Sequence, residues 1–320
     1  MKTKAIAEIV LLLLLLGTLG LARANPPIVT LMTDKDSYIP QQPINPYGTL
    51  TSGGSPVSDG LVALQVDNPI NTTVVLRTLK TGPAPDGAII IVDFYSCDLD
   101  GTLKTVFNRK SFAYFNITIY NSASYALYVV LMSNSYDSTN TTIGLSGGYN
   151  GPIVQNSILK IYPSLWIPIT AAVGNATAYA GAFTNWPILY GTPYCAEKST
   201  SFIIESKSTV PPPPSSPPPL GSYNVTFKLP FGSLSGTYHL YVSSRYEFEV
   251  DTDSKTVHVG IPGDANGDGK VNAVDFGILG YSWFQKPGDP HWDPRADFNG
   301  DNIVNAVDFG ILGKYWFYGC

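Results

Sequence analysis

Charge is the scarcest commodity in this chain. Charged residues make up 13% of its 320 residues, and the formal net charge is −5. With no basic patch to release counterions from a phosphate backbone, nucleic acids and anionic membranes drop out as partners. Histidine is nearly absent, with three residues. His239 and His258 fall within alternating strand patterns, and His291 stands beside Trp292; packing is the ordinary role for such positions. Neither G-x-S-x-G nor H-E-x-x-H occurs, so the sequence offers no nucleophile elbow and no zincin helix. Asp34 with Asp36, and Asp98 with Asp100, are the available carboxylate pairs; CDLDG at residues 97–101 reads as a turn, with a cation site as the alternative. No enzyme is expected.

Long apolar runs are missing as well, with one exception. Residues 9–16 form an apolar stretch after Lys2 and Lys4, and Ala22-Arg23-Ala24 follows as a small-x-small cleavage site. Residues 1–24 therefore read as a signal peptide, too short to cross a bilayer, which takes ~20 apolar residues. No other segment is apolar enough to span, so no membrane insertion is expected after cleavage, and the protein is expected outside the cell or at its surface. Cysteine is limited to Cys97, Cys195 and Cys320. In an oxidising exterior a Cys97–Cys195 disulfide, closing a loop of about 100 residues, would stabilise the fold by about 4 kcal/mol. Two buried free thiols are the alternative. Five sequons, at Asn71, Asn116, Asn140, Asn175 and Asn224, suit an exterior chain.

What is plentiful is Tyr, Thr, Ser, Val, Gly and Pro, the composition of pleated, half-buried surfaces joined by turns. The expected fold class is mainly β. The polyproline tract STVPPPPSSPPPLGS, residues 208–222, reads as a semi-rigid spacer. Before it, residues 26–82 alternate around Leu61, Ala63 and Gln65 and again around Val74 and Leu76, but hold too few strands to close a sandwich. After it, residues 220–260 add runs around Val225, Leu240 and Val257. The opening and closing runs resemble Ig-like, macroglobulin-type domains of bacteria and archaea. That reading makes 26–82 plus 220–260 one discontinuous sandwich. Residues 84–207, with AYFNITIYN, YALYVVLM and LWIPITAAV as strands, become an inserted second one resembling Ig-like or CARDB-like inserts. A tandem arrangement would leave two incomplete sheets with exposed edges.

The chain ends on a repetition. GDANGDGKVNAVDFGILG begins at Gly263, and ADFNGDNIVNAVDFGILG begins at Ala296. A calcium loop of the EF type takes oxygen ligands at loop positions 1, 3, 5, 7, 9 and 12, with a sharp turn at 6. In the first copy these places hold Asp264, Asn266, Asp268, the Lys270 carbonyl, Asn272 and Asp275, with Gly269 at the turn. In the second they hold Asp297, Asn299, Asp301, the Ile303 carbonyl, Asn305 and Asp308, with Asn302 at the turn. Asn tolerates the left-handed backbone less readily than Gly, so the second site is expected to bind more weakly. Residues 264–320 contain eight Asp against four Lys or Arg, an excess that a bound cation would offset. Two Ca²⁺ ions are the expected cofactors.

Each loop runs into an expected helix, at residues 273–284 and 306–317. No helix precedes the first loop, where strand and turn stand instead. A duplicated loop-then-helix resembles dockerins, and residues 261–320 look like the dockerin-like domains that end archaeal secreted proteins. The resemblance implies a calcium-dependent attachment to a cohesin-like or other extracellular protein. It also implies that Ala273, Val274, Gly280, Tyr281, Ala306, Val307, Gly313 and Lys314 face that partner. Gly277, Gly280, Gly310 and Gly313 leave a bare helix surface in each copy, suited either to close helix–helix packing or to a close partner. The expected function is a secreted, non-catalytic protein presenting Ig-like domains. The alternative is a polysaccharide-binding component of an extracellular degrading complex, with Trp166 or Trp186 stacking on sugars.

Overall fold

The computed structural model describes residues 26–38, 42–83, 87–205, 219–230, 233–246, 249–298 and 302–319. The signal-peptide expectation and residues 208–218 of the proline tract lie outside the described residues. The protein is mainly β, with two short α-helices near its C-terminal end among the described residues.

Strands from the two ends of the β region share sheets. A five-stranded sheet runs in the order Ser37–Tyr38, Glu249–Val259, Gly236–Tyr246, Leu61–Asp67, Thr73–Lys80. Leu61–Asp67 thus pairs with its sequence neighbour Thr73–Lys80 on one side and with Gly236–Tyr246, far along the chain, on the other. Facing it is a second sheet built on Pro46–Ser52, which pairs with Pro27–Val29, Met32–Thr33, Ser55–Pro56 and Ser222–Asn224. Val29, Leu50, Val62, Leu64, Tyr223, Leu240, Val242 and Val257 fill the space between them. Each such side chain, fully buried, contributes roughly 1.5–3 kcal/mol.

The strands from Ile89 to Ile204 form two other sheets. One has the order Val106–Phe107, Lys198–Ile204, Gly174–Phe183, Leu127–Tyr136, Thr142–Ile153. The other is built on Ser111–Asn121, flanked by Ile89–Cys97 on one edge and by Ile158–Ile161 and Ser164–Ile167 on the other. Period-2 alternation sorts the apolar residues of Ser111–Asn121, with Asn116 buried on the other face. Ala113, Phe115, Ile117 and Ile119 enter the core, while Phe112 lies exposed on the outer face. Opposite them Ala176, Ala178, Ala180 and Ala182 present a small-residue stripe that leaves room for Phe202 and Phe115, whose rings meet edge to face at 5.6 Å.

Leu61–Asp67 is buried at every position, not at alternate ones as its sequence suggests. Val62, Leu64 and Val66 face their own core, and the reverse face is covered by the neighbouring layers: Ala63 and Leu76 pack with Val130 and Phe183. At this junction the Arg77 guanidinium holds the Glu197 carboxylate in a two-pronged ion pair, with contacts of 2.5 and 3.0 Å. Glu197 also accepts the Thr78 backbone N–H at 2.9 Å. The guanidinium lies over the Tyr179 ring at 3.6 Å. Burial opposes its charge, and the facing carboxylate more than offsets that, so its pKa stays above the ordinary arginine value.

The expected Cys97–Cys195 disulfide is corrected. Both are buried free thiols. Cys195 belongs to the inner core and its thiol bonds the Ile91 backbone. Cys97 pairs with Tyr114 on the outer face of the same sheet, six residues further along the strand that carries Ile91. Six residues of strand span about 20 Å, far beyond the roughly 7 Å between Cα atoms that a disulfide can bridge. Burial pushes both thiols up to about 11. Among the sequons, Asn116 is fully buried, whereas Asn71, Asn140, Asn175 and Asn224 are exposed.

Candidate functional site

The terminal strand Glu249–Val259 passes into the first loop within a few residues, and Gly263 allows the bend with φ 96°. The Asp264 carboxylate, 3% exposed, gathers three backbone N–H donors, from Gly267 at 2.8 Å, Asp268 at 3.2 Å and Gly269 at 2.9 Å. Asn266 Oδ1 accepts from Asp268 N, and Asp268 Oδ1 accepts from Lys270 N. Asp275, fully buried, reaches back to accept the N–H of Asn266 and of Asn272. The turn residue Gly269 has φ 84°. The polypeptide is thereby wrapped around its own carboxylates.

The second loop repeats the pattern. Asp297 accepts from Asn302 N at 2.9 Å, the counterpart of Gly269 on Asp264. Asp308 accepts from Phe298 N and Asn305 N, each at 2.8 Å. Asn302 takes the left-handed conformation with φ 65°. Asn299 and Asp301 lie outside the described residues. Asn305 donates to the Ile303 carbonyl at 3.3 Å.

Asn272 and Asn305 have a role the sequence reading missed. Each side chain caps its helix, accepting from Val274 N at 2.9 Å and Val307 N at 2.7 Å, with Asp275 and Asp308 completing reciprocal capping boxes. The N-x-x-D spacing was the available signal. The helices, Ala273–Tyr281 and Ala306–Lys314, stop a turn earlier than expected. Phe284 and Phe317 turn left-handed, with φ 58° and 69°, and divert the chain onto the opposite repeat. Phe284 N donates to Val304 O and Val304 N to Gln285 O; Phe317 N donates to Val271 O and Val271 N to Tyr318 O. Each repeat therefore clasps the other's loop. Leu279, Leu312, Val271, Val304 and Phe298 form the core between them, with Trp283, Trp292 and Trp316 around it.

The donor set suits a hard cation. Burial raises the Asp264 pKa, the Gly269 and Gly267 N–H groups oppose that, and the Asp275 and Asp268 carboxylates raise it further by repulsion. A divalent ion would remove that repulsion. Among the described residues no three acidic, His or Cys side chains form a metal cluster by themselves. The set depends also on amide and backbone oxygens, which is the ligand chemistry of calcium.

The helix surface is open. A Cβ added at Gly277, Gly280, Gly310 or Gly313 would meet nothing within 4 Å, so the glycines do not serve packing between the helices. Ala273, Val274, Gly280, Tyr281, Ala306, Val307, Gly313 and Lys314 are all exposed. Phe276 and Phe309, which the sequence reading passed over, join this face and lie 6.0 Å apart across the two repeats. Their recurrence at one loop-relative position in both copies was the signal. Elsewhere, Trp166 is half exposed against Phe112, with centroids 5.0 Å apart, whereas Trp186 packs against Ala63, Leu76, Val130 and Phe183.

The C-terminal region is thus two pseudo-symmetric loop–helix repeats with oxygen-rich loops. Residues 262–316 match the dockerin type I domain. No curated protein matches the sequence. Three solved structures illustrate the remaining likenesses. The alkylpurine DNA glycosylase AlkC of Pseudomonas fluorescens, bound to DNA containing an abasic site analog, is 10% identical with a TM-score of 0.29, over 38% of this chain and 32% of its own. A tetra-tandem repeat from the extending region of a large adhesion protein is 13% identical with a TM-score of 0.22, over 74% of each chain. The alpha-2-macroglobulin of E. coli is 10% identical with a TM-score of 0.22, over 73% of this chain and 23% of its own. The chain thus spans about a third of the glycosylase's length. At these scores none of the three bears on fold or function.

Proposed function

We propose that this is a secreted, non-catalytic protein in which a dockerin-like module binds two calcium ions and attaches the β domains to a cohesin-like partner outside the cell. The observation that carries the proposal is the duplicated loop–helix geometry within the dockerin match, with the apolar helix face left open. Asp264, Asn266, Asp268, the Lys270 carbonyl, Asn272 and Asp275 are assigned to one ion. Asp297, Asn299, Asp301, the Ile303 carbonyl, Asn305 and Asp308 are assigned to the other. The β region divides into a discontinuous sandwich, 26–82 plus 220–260, and an inserted one, 84–207, a division that the strand pairing supports.

The partner face is apolar where bacterial dockerins carry a Ser/Thr pair, so its partner presents a complementary apolar surface. Calcium-dependent capture tests the reading. Extracellular proteins retained by the full chain in calcium should elute in chelator, and retention in chelator counts against the proposal. One observation favours a second reading, glycan binding: the exposed Phe112 and Trp166 on the outer face of the second sandwich. Trp166→Ala would abolish retention on insoluble polysaccharide if that reading holds.

A further inference from the structure

The fold sorts the five sequons by whether their side-chain amides are free. Asn116 is fully buried within the strand Ser111–Asn121, and its Nδ2 donates to Thr118 Oγ1 at 3.2 Å. Nothing bulky can be attached there in this fold. Asn140 lies in a turn, but its Nδ2 donates to the Thr226 carbonyl at 2.5 Å. Asn175 and Asn224 are exposed within paired strands. Asn71 combines a turn position with a free amide. It sits at the tip of the turn joining Leu61–Asp67 to Thr73–Lys80, in the left-handed conformation with φ 57°. Asn68 fixes that turn, its side chain accepting the N–H of Ile70 and of Thr72 while its carbonyl accepts the Asn71 N–H. The Asn71 side chain is exposed and makes no hydrogen bond among the described residues. It lines a groove of about 1100 Å³ between the sandwich and the C-terminal module.

We propose that Asn71 carries an N-linked oligosaccharide and that its first sugars lie in this groove, bridging the sandwich and the module. The proposal rests on the extracellular reading above, because sequons are modified in secreted chains. Transfer joins Asn71 Nδ2 to the anomeric carbon of the first sugar and breaks that carbon's bond to the phosphate of a lipid-linked oligosaccharide donor. The amide gives up one proton and the lipid phosphate leaves. In the folded protein the hydroxyl of Thr73, the third residue of the sequon, donates to Asp67 Oδ1 at 2.7 Å and accepts from Gln65 Nε2 at 3.2 Å. Transfer therefore precedes closure of that hairpin, and folding then admits a sugar on Asn71 but not one on the buried Asn116. The groove suits its occupant. Thr237, His239 and Thr256, from two neighbouring strands, give it polar groups, and the module contributes Trp292 and Tyr315. A sugar lays its C–H face on such rings and offers hydroxyls to the polar groups, a fit that neither an apolar nor a charged ligand makes. The attachment point is held where sandwich and module already meet: a Cβ added at Gly236 would stand 2.9 Å from Pro69 Cγ, in the same turn as Asn71, and 3.6 Å from the Pro294 carbonyl oxygen.

Peptide mapping by mass spectrometry of the full chain, as its own host produces it, tests the site. Expected are a chain that begins after residue 24, a peptide spanning Asn71 heavier by an oligosaccharide, and a bare Asn116. Bare Asn71 in a chain that has lost residues 1–24 overturns the proposal and leaves the extracellular reading standing; a chain still carrying residues 1–24 with every sequon bare counts against both. Hydrogen exchange in calcium then tests the placement, comparing the glycosylated protein with Asn71→Gln and Asn224→Gln. Asn71→Gln should speed exchange severalfold at residues 254–258 and 289–294, which the sugars cover, while Asn224→Gln leaves both segments unchanged. Thr73→Ser, which keeps the sequon and the hydroxyl that bonds Asp67, should retain the slow exchange. An Asn71 glycan whose removal leaves 254–258 and 289–294 unaltered overturns the groove placement.

Discussion

Glu197→Ala should be among the most damaging single substitutions in the β region. Arg77 and Glu197 side chains are only 9% and 15% exposed, and the guanidinium sits over Tyr179 with water excluded from one side. Removing the carboxylate leaves the buried cation unpaired and takes away the acceptor of Thr78 N–H. Breaking one side of a buried pair costs about 3–5 kcal/mol. For a unit of this size the melting temperature would fall on the order of 10 °C. Replacing both partners, as Arg77→Met with Glu197→Leu, removes the charge together with its partner and should recover most of the loss, because burying a charge pair is no cheaper than burying apolar groups. Urea unfolding followed by tryptophan fluorescence, with calcium held constant, measures all three. A single-variant loss under about 1 kcal/mol, or a double variant as damaged as the single, would refute the reasoning. The exposed pair Lys255–Asp36, at 30% and 85%, is the internal control: Asp36→Ala should cost almost nothing.

Acid should weaken the sandwich through His258. Burial depresses its pKa to about 4 from an ordinary 6.5. The folded state therefore holds the neutral ring, and stability present above pH 6.5 is lost as pH falls from 6.5 toward 4, by up to about 3 kcal/mol. His258→Asn should flatten that part of the pH–stability curve. Cys97 and Cys195 should resist a thiol reagent at pH 8 in the native protein and react on denaturation. A native protein lacking those thiols after denaturation without reductant would restore the disulfide. Asn302→Gly, relieving the left-handed backbone of the second loop, should tighten one calcium site about two- to fivefold in calorimetry; unchanged affinity would show that Asn302 carries no strain.

Much of the C-terminal module was legible because its constraints are local. Ligand places recur at fixed offsets within a twelve-residue loop, and a turn that needs positive φ selects Gly269 or Asn302 whatever surrounds it. The helix ends were less legible. Phe284 and Phe317 continue an apolar pattern, and hydrogen bonds to the opposite repeat's backbone at Val304 and Val271 pull them out of the helix. The capping role of Asn272 and Asn305 was written in the N-x-x-D spacing and obscured by the ligand reading of the same residues.

By itself the sequence determined the β class, the poverty of charge and the paired loops, because composition and short-range spacing act before the chain closes on itself. Tertiary structure alone decided whether the two cysteines could meet, since strand register carried Cys97 to the outer face of a sheet while Cys195 packs into the core on the inner side. It alone revealed that the helix glycines face open space and that Gly267 of the first loop lies against Ser233 of the sandwich. Those outcomes depend on contacts between residues far apart in the chain, and no local pattern encodes the distance between them.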